Sequence, residues 1–398
     1  MSAIKYWLWM STAAKLSPRV KAELLEHYGT PENVFNAPKG ELTRLTGNSE
    51  GIEILEKRDM SNALRIIDKC KSQGIDIITL QDALYPDRLK NIYSPPYVLY
   101  VKGRLPAVDD EAAIAIIGTR GASPYGIKMA RKLGCEIAKC GGIVVSGLTR
   151  GVDAAGAEGA LMGSGRCIGV LGVPHELAKG RIYDEVAERG ALVSEYPPGA
   201  ESNKAYFRAR NRITAGLSVG VAVIEAPEKS GTRLFAAEAA EQGKEIFAVP
   251  GNADSLNSVG TNILLKEGAK PVTTGWDILC EFEKLYPEKL RRESEVKLPE
   301  REKTAPDAKP EPQKATKKYI DKKESTDYID LMKQLEGLSE SQLKIVETME
   351  MPSMHVDDII EKSGLSSAKV LADLTLMQLK GYVKQESGKR FTLNTIMK

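Results

Sequence analysis

At 398 residues the chain is too long for a single small module and has room for two to four domains at roughly 100 to 200 residues each. Its 42% hydrophobic and 28% charged residues, with a mean hydropathy of -0.27, exclude a disordered or fibrous protein. The 56 Lys and Arg against 54 Asp and Glu leave a net charge of +2, so any nucleic-acid site must come from local clustering.

No apolar run approaches the roughly 20 residues that span a bilayer. The first ten residues carry no basic leader or processing-site pattern, so a cytoplasmic protein without a membrane partner is expected. Five cysteines, Cys70, Cys135, Cys140, Cys167 and Cys280, are scattered and lack a CxxC pair, which fits reduced thiols rather than a disulfide framework. Only His27, His175 and His355 are present, far apart, which leaves no HExxH site and little material for a Ser/His/Asp triad. No metal or cofactor is expected.

In chain order, residues 1–74 carry helical signals. Ser17-Pro18 opens a segment in which Val20, Leu24, Leu25 and Tyr28 repeat at helical spacing until Gly29-Thr30-Pro31, and Ser61 to Cys70 is a second periodic stretch. This predicts a small domain of three to five helices, SAM-like or helix-hairpin-helix-like. From 75 to 286 short β-branched runs alternate with alanine-rich helical segments. Strands are predicted at 75–79, 97–101, 113–117, 142–145, 167–171, 191–193, 219–224 and 245–249. Helices at 127–139, 154–162, 182–189 and 232–242 are long enough to be crossovers, which makes this an α/β, Rossmann-like, doubly wound and mostly parallel sheet. Residues 287–335, rich in Lys, Glu and Pro, read as a charged flexible linker. In 336–398, Ser339-Glu340-Ser341-Gln342 is a capping box opening a helix to about Met349. A second helix ends at Ser363-Gly364, a third runs from Ser366 to about Lys380, and a hairpin follows at 382–384 and 390–393, the outline of a winged helix.

Three glycine-containing loops fall where strands end, at the carboxyl edge where open α/β sheets bind ligands. They are Gly118 to Gly126, Ser146 to Asp153, and Ser230-Gly231-Thr232; the first and third each open a helix whose free amides could face an anion. None is a GxGxxG fingerprint and no GxxxxGK[ST] occurs, so a P-loop ATPase is excluded. Between Ser202 and Val223 there is no acidic residue, while Lys204, Arg208, Arg210 and Arg212 interleave with Tyr206 and Phe207. Cations beside rings suit single-stranded nucleic acid, whose phosphates take Lys and Arg and whose exposed bases stack. Arg120 and Arg150 could extend the same groove. On spacing alone the run also admits a structural reading, with the arginines paired to acids elsewhere and Phe207 in the core.

Five blocks resemble the DprA/Smf family of bacterial DNA-processing proteins. They are Ala115-Ile116-Ile117-Gly118-Thr119-Arg120 with Ser123 and Tyr125-Gly126; Ser146-Gly147-Leu148-Thr149-Arg150-Gly151-Val152-Asp153; Ser194-Glu195-Tyr196-Pro197-Pro198-Gly199; Phe207 to Ser218; and Phe247-Ala248-Val249-Pro250-Gly251. The resemblance implies a homodimeric protein, not an enzyme, that binds and protects incoming single-stranded DNA and loads the RecA recombinase in natural transformation. By motif position it places the DNA pocket at Arg120, Gly199, Lys204, Phe207, Asn211 and Arg212. There Arg120, Lys204 and Arg212 would hold phosphates, Phe207 would stack a base, and Asn211 would bond a base edge or orient the loop. Two departures, Ala157-Glu158 where the family often has His and Lys179-Gly180 where it often has Tyr-Pro, lie outside that pocket.

The rival from another class is a nucleotide-processing enzyme of the phosphoribohydrolase type. Its Gly-Gly-x-Gly-Thr-x-x-Glu signature needs an acid where this chain, after Gly231-Thr232, has Phe235. Glu195, Glu225 and Glu238 remain near the sheet edge, and pairing with nearby arginines is expected of them. A third reading is a transcription regulator acting through the winged helix. That region balances its Lys and Arg with Asp and Glu, and its third helix offers only Lys369 and Lys380 against Asp373, so it lacks the footprint of a duplex reader.

Overall fold

The computed structural model describes residues 2–13, 16–38, 40–47, 51–296, 339–349, 354–379, 382–386 and 390–393. The chain divides into two compact units, 1–302 and 303–398.

In the first unit, helices α1 (Ser2–Ser11), α2 (Pro18–Tyr28), α3 (Pro31–Asn36), α4 (Glu41–Thr46), α5 (Ile52–Glu56) and α6 (Ser61–Gln73) precede strand β1 (Asp76–Thr79). The α2 signals act as the sequence predicts: the Ser17 hydroxyl accepts from the Val20 amide at 3.3 Å, and Gly29 leaves the helix at φ +77°. Then follow α7 (Asp87–Lys90), β2 (Val98–Gly103), β3 (Ala113–Ile117), α8 (Pro124–Lys139), β4 (Ile143–Ser146), α9 (Val152–Met162), β5 (Cys167–Leu171), α10 (Arg181–Arg189), β6 (Ala191–Ser194), α11 (Lys204–Ala209), α12 (Asn211–Gly216), β7 (Gly220–Val223), α13 (Gly231–Glu241), β8 (Glu245–Ala248), α14 (Val259–Lys266), β9 (Lys270–Pro271) and α15 (Gly275–Leu279).

The nine strands form one sheet in the order β1-β2-β6-β5-β4-β3-β7-β8-β9. From β6 to β9 every pairing is parallel, whereas β2 pairs antiparallel with both β1 and β6. Because β3 pairs with β4 on one side and β7 on the other, the strand order reverses there and opens a crevice at the carboxyl ends. Both faces are covered, which is why β3 is apolar throughout: Ala113, Ala115 and Ile117 pack with Leu89, Ile213 and Phe235, while Ile114 and Ile116 pack with Leu133, Ile137 and Val152.

The expected boundary at 74 falls inside a shared core. Trp7, Trp9, Leu24 and Ile66 pack against Val98 and Tyr100 of β2, so the helices rest on the antiparallel end of the sheet. The expected linker also starts later than position 287. Leu290 is buried, the Lys289 ammonium pairs with Glu111 at 3.1 Å, and the Arg291 amide donates to the Cys140 carbonyl at 3.0 Å. The remainder of that stretch, 297–338, lies outside the described residues.

In the second unit, α16 (Glu340–Thr348), β10 (Met354–His355), α17 (Val356–Ser363), α18 (Ser367–Leu379), β11 (Val383–Glu386) and β12 (Arg390–Leu393) form a winged helix with strand order β10-β12-β11. The predicted capping box is present, with Ser339 and Gln342 each accepting from the other's amide. Ile345, Ile359, Val370, Leu374, Met377 and Phe391 make the core. On α18 the Lys369 ammonium lies 3.5 Å from the buried Asp373 carboxylate, so this cation is neutralised within its own helix.

Candidate nucleic-acid interface

The first glycine loop runs from Gly118 to the start of α8, where Ser123 is the cap and Pro124 the first helical residue. The free amides expected here are largely spoken for. Glu225, just past the neighbouring strand β7 and 2% exposed, accepts from the Ser123 amide at 2.9 Å, the Ser123 hydroxyl at 2.5 Å and the Asn257 side chain at 3.3 Å. Thr119 donates to the Glu225 carbonyl, and the Gly121 amide to the Thr119 hydroxyl. Glu225 therefore clamps the loop and presents Arg120, instead of pairing with an arginine as expected. The second loop locks onto the first at Gly151, which has φ +90°; a Cβ there would lie 2.5 Å from the Thr119 carbonyl oxygen and 2.8 Å from that of Arg120.

At the reversal point these loops surround a depression. Of the expected DNA residues it brings together Arg120, Lys204, Phe207, Arg210 and Asn211. Lys204 and Phe207 come from α11, which is capped by the Asn203 side chain. The Arg120 guanidinium sits 5.6 Å from the centroid of the Phe207 ring, so the cation and the ring face form one surface. The opposite rim is the start of α13, where Ser230 makes no side-chain cap and the first-turn amides of Gly231 and Thr232 border the depression.

Three expected residues lie elsewhere. Arg150 is exposed on the second loop, outside the depression's lining. Gly199 and Arg212 belong to a neighbouring groove: the Gly199 amide donates to Glu176, and Arg212 is held by Glu195 at 2.6 Å and by the Ser94 carbonyl at 2.9 Å.

Arg210 needs a correction of a different kind. It is 4% exposed, its guanidinium lies against Gly147 with no space for a Cβ, and its Nε has no partner among the described residues. It is the floor of the depression and not a surface phosphate clamp. Burial pushes its pKa down, partly offset by the nearby Asp153 charge. Asp153, 7% exposed, has its pKa raised by burial, against the opposing pull of Arg210, the Thr149 hydroxyl at 2.9 Å, and the Gly118 and Thr149 amides. Both groups are buried under the glycine loops, and each charge favours the other's charged form. The other carboxylates are also occupied, Glu238 lying 3.6 Å from Arg208, and Phe235 is a core residue. Among the described residues no cluster of His, Cys, Asp and Glu could hold a metal, and no helix is long and apolar enough to cross a membrane.

A family model described as DNA recombination-mediator protein A matches residues 76–283, the whole parallel sheet with its loops. The chain belongs to this family. A second model, the DprA winged helix domain, matches 332–389. The DNA processing protein DprA of Bacillus subtilis is 38% identical over 222 residues, spanning 55% of this chain and 75% of that protein. Protein Smf of Synechocystis is 29% identical over 395 residues, 97% of this chain and 98% of that one. The solved structure of DNA processing protein A from Streptococcus pneumoniae superposes with a TM-score of 0.60 at 31% identity, covering 70% of this chain and 98% of that one. Two of the DprA/Smf family blocks, Ala115 to Gly126 and Ser146 to Asp153, thus fall on the reversal point of the sheet, and Ser194 to Gly199 borders the neighbouring groove.

Sequence reasoning missed the clamp role of Glu225, the short helices α7, α11, α12, α14 and α15, and the edge strand β9. The signal for Glu225 was a carboxylate directly after a buried strand, a position that polar loop chemistry or a buried hydrogen-bond partner fills equally well. What tells them apart is Ser123, 102 residues away.

Proposed function

We infer that this member of the family binds single-stranded DNA across the depression at the sheet's reversal point. The observation that carries the reading is the joint surface of Arg120 and Phe207 with Lys204 beside it and the uncapped start of α13 opposite. Cations and amides there meet phosphates. The ring meets a base face that a duplex would hide, at about 1 to 3 kcal/mol per stacked base. The names of the relatives, DNA processing and DNA recombination mediation, agree with this chemistry.

In this role the protein would protect incoming strands and load the RecA recombinase onto them during natural transformation, working in the cytoplasm as a homodimer. It would catalyse no reaction: Asp153 is hydrogen-bonded to the Thr149 hydroxyl and to the Gly118 and Thr149 amides, and the position where a phosphoribohydrolase needs its acid is Phe235, in the core. Fluorescence anisotropy with labelled single-stranded and duplex oligonucleotides of equal length, across a salt series, tests the binding. Tight, salt-sensitive and sequence-tolerant preference for the single strand is expected, and equal or absent binding refutes it. Recombinase loading is tested by RecA filament assembly on strands coated with single-strand binding protein, and the homodimer by sedimentation equilibrium.

A further inference from the structure

The depression ends at α11, but the other face of that helix opens onto the neighbouring groove. Lys204, Phe207 and Arg208 line the first side; Tyr206 and Ala209 line the second, with Tyr196 stacked on Tyr206 at 3.8 Å between centroids. The groove's far wall is built by the amino-terminal helices, through Lys21 of α2 and Arg65 of α6, and Tyr97 lies between the walls.

Its charge is unbalanced. Lys21 donates to the Ser11 carbonyl at 2.7 Å and Arg65 to the Asn62 side chain at 2.8 Å, and neither pairs with a carboxylate among the described residues. Glu195, the carboxylate in the lining, is already held by Arg212. Burial pushes the Lys21 pKa down to about 8 against the partial pull of Glu195, a cost that an arriving anion would offset further. Lys69 of α6 reaches over the Gly199 turn. Tyr100, a residue 1% exposed, also borders the groove.

We propose that this groove is a second site for single-stranded nucleic acid, continuous with the first over α11, in which Lys21 and Arg65 hold phosphates and Tyr97 meets a base. The amino-terminal helices then form one wall of the strand's path. Helix α11 is the ridge between the two sites, and at a helix diameter of about 10 to 12 Å a single strand can cross it. A spread of cations with interleaved rings fits a strand with one phosphate per base better than a protein segment.

The proposal rests on the single-strand reading above, and oligonucleotide length separates the two. Anisotropy would be measured on the full chain with oligothymidylates of about six nucleotides, near the lower end of single-module site sizes, and of about thirty. Arg65 is exposed on its helix, so Arg65→Glu leaves the fold intact, as its unfolding temperature would verify. It is expected to weaken the long strand about tenfold and lower its salt slope by about 1, leaving the short strand unchanged. Lys21→Gln should weaken the long strand several-fold, and Lys21→Arg should restore it. Wild-type affinity of both variants for the long strand, with Arg120→Glu still abolishing binding, overturns this proposal and spares the first site. Equal weakening of both lengths by Arg65→Glu also overturns it, because the effect is then general electrostatics. If wild-type protein binds neither strand, the single-strand reading itself fails.

Discussion

The clamp at Glu225 makes the most demanding prediction, since it ties loop position to a countable set of hydrogen bonds. The carboxylate accepts two bonds from Ser123 and one from Asn257 while 2% exposed. Bonds to a charged acceptor contribute about 1.5 to 3 kcal/mol each, against about 0.5 to 1.5 for neutral ones. Glu225→Gln keeps the shape and loses the charge, so the three bonds fall to neutral strength at a cost of about 3 kcal/mol. Glu225→Ala removes all three bonds and strands the Ser123 amide, which should cost about 4.5 kcal/mol or more. At about 2 to 4 °C per kcal/mol for a domain of this size, glutamine lowers the melting temperature by roughly 6 to 12 °C and alanine by roughly 9 to 18 °C or more. All three tryptophans, Trp7, Trp9 and Trp276, belong to the 1–302 unit, so their fluorescence in the intact protein reports this transition alone. Both variants should also bind single strands several-fold more weakly, through a loosened Arg120. Melting within a degree of wild type for Glu225→Ala, or a normal melt with unchanged binding for both, would refute the clamp.

Arg120→Glu or Lys204→Glu should abolish single-strand binding, while Phe207→Ala should weaken it by the stacking contribution of about 1 to 3 kcal/mol with the salt slope unchanged; anisotropy checks all three. Arg210→Met should act first on the fold. It leaves Asp153 buried without the nearby positive charge, so the melting temperature drops and the Asp153 pKa rises further, which a greater loss of stability as pH rises above the usual carboxylate range would reveal, because the folded state then holds a proton that the unfolded chain releases. Gly151→Ala faces two carbonyl oxygens at a positive φ and should cost more than about 2 kcal/mol, measured by chemical denaturation. Among the five cysteines Cys280 alone is exposed, so it should react first with a thiol reagent; its pKa is raised above 9 by burial, and the rate should still be climbing at pH 9. Cys70 and Cys167, pushed up to about 12, should react only on unfolding.

Local chemistry determined a good part of this protein. Capping residues act within one turn, so Ser17, Ser123 and Ser339 with Gln342 mark real helix starts. A strand buried on both faces must be apolar throughout, which made β3, β4 and β5 legible as unbroken runs. The glycine loops were legible for a similar local reason, since Gly151 sits at φ +90° against the Thr119 and Arg120 carbonyls, where a side chain does not fit. Tertiary structure decided the rest. The run from Lys204 to Arg212 reads as one basic cluster, yet α11 turns Phe207 and Tyr206 into different grooves, and Arg212 is claimed by Glu195 while Arg210 is buried beneath the loops under the influence of the Asp153 charge. Those partners lie 17 and 57 positions away in the chain. No local pattern encodes which cation is buried and which faces solvent; the choice follows from where the folded sheet delivers the opposing carboxylates.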